Sequence, residues 1–215
     1  MTDDASAPRL MLVTPELAET EAFLPVLEAA LAAGDVAAVA IRLAPADDRA
    51  RIARAKPLIA AAQGAGAAAL IAGEGVEDIV GKSGADGVHV VGEVATAEAV
   101  ERFQPEKIVG AAVSRSRDEA MTAGERGADY VLFGMAENGA AWSAEQTLER
   151  VAWWVPIFET PCVGFAGSLD DVAALAATGV EFVGLGDAVW RHEAGPAAAV
   201  AAAHAAISLA RAPTP

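Results

Sequence analysis

The chain has 215 residues and carries 15 Lys and Arg against 30 Asp and Glu, a formal net charge of −15, and a surface of that sign repels nucleic acid and anionic lipid headgroups. With 54% hydrophobic but only 5% aromatic residues, its core must come from small aliphatic side chains, yet no apolar run reaches the roughly 18 residues of a membrane span. The single cysteine, Cys162, excludes an internal disulfide and a Cys-rich metal site, and the compartment expected is a reducing cytoplasm.

In chain order, residues 1–8 are acidic and polar, the opposite of a secretory n-region, and are expected to form a disordered tail. A single domain is expected over residues 9–211 and a second short tail over 212–215. Eight strand candidates follow one another: Arg9 to Val13, Ala38 to Leu43, Ala68 to Ala72, Gly87 to Val91, Ile108 to Val113, Tyr130 to Gly134, Pro161 to Phe165 and Phe182 to Leu185. Most are continuous apolar runs rather than alternating ones, as parallel strands covered on both faces require. Between them lie helix-length segments such as Ala46 to Gln63, Ser116 to Arg126, Ser143 to Val155, Ser168 to Ala177 and Pro196 to Ala210. Several of these open on a Ser or Asp able to cap free N–H groups.

An internal repeat marks the junctions. Gly84-Ala85-Asp86-Gly87-Val88 returns as Gly127-Ala128-Asp129-Tyr130-Val131 and, more loosely, as Gly179-Val180-Glu181-Phe182-Val183. In each copy the glycine ends a helix and the acidic residue stands just before a buried strand. Eight βα units of this kind predict a closed (β/α)8 TIM barrel. In such a barrel the chemistry sits where strands end and helices begin, which directs attention to loops such as Thr14-Pro15-Glu16, Gly73-Glu74-Gly75, Ser114-Arg115-Ser116, Ala166-Gly167-Ser168 and Gly186-Asp187-Ala188.

At these strand ends, from about Arg9 to Trp190, the chain resembles the thiamine-phosphate synthase family. Leu10-Met11-Leu12-Val13-Thr14 is similar to the family's opening L-Y-L-V-T-D, Gly84 to Val90 to its G-A-D-G-V-H-L, and Gly127 to Val131 with Gly134 to its G-A-D-Y-V-x-x-G. The resemblance implies a transferase of thiamine biosynthesis. It would join a pyrimidine diphosphate to a thiazole phosphate, with Mg²⁺ bridging the pyrophosphate leaving group to carboxylates.

Against the family's pattern the chain departs at most catalytic positions. Its Q-x-R-x-K strand falls on Ala40-Ile41-Arg42-Leu43-Ala44, keeping only the arginine. Its N-D metal pair falls on Gly73-Glu74, a second metal carboxylate near Glu93, and its T-x-T-K loop on Ala136 to Ala140, which holds no cation. The G-G turn becomes Ala166-Gly167 before Ser168, the serine of a later V-S-A turn becomes Asp187, and Arg115 replaces a histidine. The site expected from the resemblance therefore comprises Arg42, Arg115, Gly167, Ser168, Gly186 and Asp187 around a phosphorylated small molecule. Glu74 is the metal candidate, and Mg²⁺ is expected only weakly because the usual carboxylates are largely absent.

Several residues have a plainer reading. Arg42 could pair with Glu74 across the barrel mouth, Ser116 could simply cap a helix, and His89 and Cys162 could be inert core. Trp153 and Trp154 suit packing or a homo-oligomer interface. Three functions remain open: a synthase-like protein binding a phosphorylated molecule with weak or altered transfer, a non-catalytic binding or regulatory relative, and an isomerase-type enzyme on the same barrel.

Overall fold

A computed structural model describes residues 7–113, 116–136 and 138–210; most of the first expected tail, all of the second and the last residue of the expected domain lie outside the described residues. The strands are β1 Arg9–Val13, β2 Val36–Arg42, β3 Ala68–Ala72, β4 Gly87–Val91, β5 Ile108–Ala112, β6 Tyr130–Phe133, β7 Cys162–Ala166 and β8 Phe182–Leu185. All neighbours pair in parallel and β1 closes on β8, with Met11 opposite Gly184, so the sheet is a closed eight-stranded barrel. The helices are α1 Leu24–Leu31, α2 Asp48–Gly64, α3 Glu77–Ser83, α4 Glu93–Phe103, α5 Arg117–Glu125, α6 Ala144–Trp154, α7 Val172–Ala176, α8 Asp187–Trp190 and α9 Pro196–Ala210.

Alternation along the strands sorts two apolar layers. Leu10 and Leu12 of β1 and Val39 and Ile41 of β2 face the helices, while Met11, Val13 and Ala40, with Leu70, Leu132 and Phe165, fill the barrel interior. Both sets are buried, which is why the strands read as unbroken apolar runs.

The predicted caps form. Asp47 accepts the Ala50 N–H at 2.8 Å, Ser116 that of Glu119 at 3.5 Å and Ser143 that of Gln146 at 3.3 Å. Two elements differ from the sequence reading. The helix expected over Ser168 to Ala177 is split into a 3₁₀ turn, Leu169–Asp171, running into α7, and Asp187 begins α8 instead of lying in a loop.

The acidic residue of the repeat proves to act across the sheet. Asp86, before β4, accepts the backbone N–H of Ala69 in β3 at 2.7 Å; Asp129, before β6, accepts that of Val109 in β5 at 2.7 Å; Glu181, before β8, accepts that of Cys162 in β7 at 3.0 Å. Each carboxylate thus satisfies a donor at the amino-terminal rim that the strand ladder leaves unpaired. Glycine at 87 and 110 is required by close approach rather than by φ. A Cβ at Gly87 would lie 2.0 Å from the Ile108 carbonyl oxygen, and one at Gly110 would lie 2.0 Å from the Tyr130 ring.

Candidate functional site

The carboxyl ends of the strands form the open mouth of the barrel. Arg42, the last residue of β2, is held there by its backbone: Thr14 at the end of β1, 1% exposed, accepts the Arg42 N–H on its Oγ1 at 2.9 Å, and the Leu17 N–H donates to the Arg42 carbonyl at 3.0 Å. A hairpin-like loop after β6 faces it, closed by the Met135 to Ala141 bridge and by Ala136 N–H donating to the Ala140 carbonyl at 2.8 Å. Gly139, with φ +84°, lies at the loop's tip so close to the guanidinium that a Cβ there would stand 2.2 Å from Arg42 Nη1. Arg42 therefore spans the mouth from β2 to the loop after β6.

Two cavities share Arg42. One, of about 510 Å³, is bounded by Glu16, Arg42, Glu74, His89 and Met135. The other, of about 470 Å³, is bounded by Thr14, Arg42, Asn138, Gly139, Phe165 and Asp187. No ion pair of Arg42 is found among the described residues, so the expected alternative, a bridge to Glu74, does not form. Glu74 is exposed at the rim of the first cavity.

His89 lies at the floor of that same cavity. It is 1% exposed, its Nδ1 stands 2.8 Å from the Tyr130 hydroxyl, and the two rings stack 5.7 Å apart and 9° from parallel. Its Nε2 is buried without a hydrogen-bond partner. Burial, and then the charge of Arg42, push its pKa down to about 4, so the ring is neutral.

The last two loops are partly filled by the protein's own carboxylates. Asp171 Oδ2 accepts both the Ser168 N–H at 3.0 Å and the Ser168 hydroxyl at 2.9 Å, and Asp187 pairs with Arg191 at 3.2 Å. These residues border a third, shallow cavity of about 570 Å³ beside Gly167 and Ser168. Gly186 lies between β8 and α8, against the Phe165 ring. Arg115 lies outside the described residues. Arg42, Glu74, Gly167, Ser168, Gly186 and Asp187 do stand at one end of the barrel, since each follows or ends a strand.

Among the described residues no group of three or more His, Cys, Asp or Glu side chains is placed to hold a metal ion, and hard cations want several oxygen ligands. Glu93, expected near the second metal position, instead meets Arg126 at 3.3 Å on the barrel's flank. Cys162 is buried at the amino end of β7, and burial and Glu181 push its thiol pKa up, which disfavours the thiolate. Trp154 is core and donates to the Thr160 carbonyl at 2.8 Å. Among the described residues, no helix is long and apolar enough to cross a membrane.

Sequence reasoning passed over Thr14, Glu16 and Gly139 as site residues and treated His89 chiefly as core. Thr14 and Glu16 were visible as residues at a strand end. The approach of Gly139 to Arg42 has no signal in the sequence, because it joins positions far apart in the chain.

Closed and parallel, with its polar cavities at the carboxyl ends of the strands, the molecule is a TIM barrel. The family model described as thiamine monophosphate synthase matches residues 10–189. A thiamine-phosphate synthase of Rhodospirillum centenum is 41% identical over 197 residues, covering 90% of this chain and 94% of that protein. One of Hyphomonas neptunium is 37% identical, covering 95% and 97%. The thiamine phosphate pyrophosphorylase structure from Pyrococcus furiosus superposes with a TM-score of 0.77 at 22% identity, over 97% of this chain and all of that one, a likeness of fold. The chain belongs to the thiamine-phosphate synthase family.

Proposed function

We propose that the chain binds a phosphorylated small molecule at the carboxyl-terminal mouth of its barrel, and that its turnover of the family's pyrophosphate-releasing transfer is weak. One observation carries the reading. Arg42 is fixed through its backbone, has no carboxylate partner among the described residues, and sits where two cavities meet, the setting in which a guanidinium takes a phosphate bidentately. Arg115 would add a second cation. Gly167, Ser168, Gly186 and Asp187 would border the ligand, and Glu74 would offer a carboxylate to any metal that a bound diphosphate brings with it.

Weak transfer follows from the charges. The leaving pyrophosphate develops negative charge that preorganised donors must neutralise, and the loop after β6 supplies no lysine or arginine. A second reading, binding without catalysis, is favoured by Asp171. A phosphate taken up by the Ser168 N–H and hydroxyl would first have to displace that carboxylate.

The test is an assay with Mg²⁺, a pyrimidine diphosphate, a thiazole phosphate and a pyrophosphate readout. Activity at least about a hundredfold below that of a relative retaining the family's cations is expected, the usual cost of a lost preorganised contact. Normal turnover would overturn the reading. Ligand-dependent melting without turnover would select the binding module.

A further inference from the structure

Among the described residues the barrel interior holds a polar pair, His89 and Tyr130, whose hydrogen bond is no part of the strand ladder. His89 and Tyr130 come from β4 and β6, and the phenol fits between them only because position 110 on the intervening β5 has no side chain. The hydroxyl and His89 Nδ1, 2.8 Å apart, are each other's sole hydrogen-bond partners among the described residues. Only one of them can donate. The phenol is the stronger donor and the poorer acceptor, and burial raises its pKa further, which keeps its proton on the oxygen. A neutral imidazole carries one proton, so if Nδ1 accepts from Tyr130 the proton sits on Nε2. That Nε2 is the ring nitrogen left buried and unpaired in a residue that lines the 510 Å³ cavity. A buried donor without a partner is costly, and a ligand offering a lone pair would remove that cost.

We infer that Tyr130 is a positioning residue that locks His89 as its Nε2–H tautomer, so that the floor of the mouth offers an uncharged donor to a carbonyl oxygen or an unprotonated ring nitrogen of the ligand. The inference rests on the mouth being a ligand site, but it assigns a polarity that Arg42 does not. Arg42 selects for negative charge, whereas a neutral donor beneath it selects for a neutral acceptor and disfavours a donor or protonated ring at the same place.

Nitrogen-15 NMR of the imidazoles tests this in the unaltered protein. His89 should show an unprotonated Nδ1 and a protonated Nε2, and titration with pyridine, an acceptor with no donor, should shift the Nε2–H signal saturably while benzene leaves it in place. In Tyr130→Phe, which keeps the stacked ring and loses the hydroxyl, the two tautomers should mix and pyridine should bind several-fold more weakly, with the melting temperature recorded as a control for folding. A wild-type ring protonated on Nδ1, a tautomer unmoved in Tyr130→Phe, or a pyridine titration without response at Nε2 would each overturn the inference. Calorimetry with inorganic pyrophosphate reports on Arg42, so failure of the phosphate reading is seen separately from failure here.

Discussion

The two ends of the barrel treat their polar groups in opposite ways. At the amino-terminal rim Asp86, Asp129 and Glu181 each accept a strand N–H, and Gln63 adds a bond from its Nε2 to Asp86 at 3.1 Å. At the carboxyl-terminal mouth the Arg42 guanidinium has no ion pair among the described residues, and His89 keeps a buried nitrogen unpaired. The closed end holds the strands in place; the open end keeps free the groups a ligand would use. Stability and binding should therefore separate when the two ends are perturbed.

The largest effect expected lies where the mouth reaches into the core. His89 titrates near pH 4 in the folded chain and near 6.5 when unfolded, so the unfolded state binds the extra proton between those values. Its contribution is whole above about pH 6.5 and is lost as pH falls toward 4, a loss of about 3 kcal/mol. Urea unfolding from pH 7 to 4 should show that decline, and His89→Gln should lose most of it; an unchanged slope would mean that His89 is not the group responsible.

Rim and mouth diverge next in simple truncations. Asp86→Ala leaves the buried Ala69 N–H without its acceptor and should cost about 1–3 kcal/mol. Glu74→Ala, at an exposed mouth position, should stay within about 0.5 kcal/mol. Equal losses in chemical denaturation would erase the distinction between the ends.

Two smaller effects sharpen the account of the mouth. Gly139→Ala should weaken pyrophosphate binding several-fold, because its Cβ would displace the Arg42 guanidinium, and should also lower the melting temperature, because alanine is strained at φ +84°; unchanged pyrophosphate binding would contradict it. Asp187→Ser should tighten binding of inorganic phosphate several-fold, by removing a carboxylate and freeing Arg191. That gain should shrink as salt is added, since the like-charge term is worth roughly 1 kcal/mol and is screened. Unchanged affinity would show that phosphate does not approach Asp187.

Much of this contrast is legible in the sequence. The repeat at Asp86, Asp129 and Glu181 announced helix-to-strand junctions because glycine, a small residue and an acid are local signals. What the acid does, reaching to the N–H of the neighbouring strand, is a contact between positions 17 to 20 residues apart and leaves no local trace. Arg42 was legible as a cation at a strand end. Its freedom from Glu74 and its contact with Gly139 depend on how β2 and the loop after β6 meet across the barrel. His89 read as core because it stands in an apolar strand. Burial was the correct inference, and the unpaired Nε2 became visible only once Tyr130 was seen to occupy the other nitrogen. The split of the helix after β7 was missed because the capping box of Ser168 and Asp171 tightens its first turn.

The central claim, that the mouth takes a phosphorylated ligand through Arg42, is tested most directly by isothermal calorimetry of inorganic pyrophosphate against the wild-type chain and Arg42→Ala. The account predicts saturable binding to the wild type that falls at least about tenfold in the variant, the loss of a charge-assisted contact of about 1.5–3 kcal/mol, with both proteins melting alike. Equal binding by the two proteins, or none by the wild type, would contradict it.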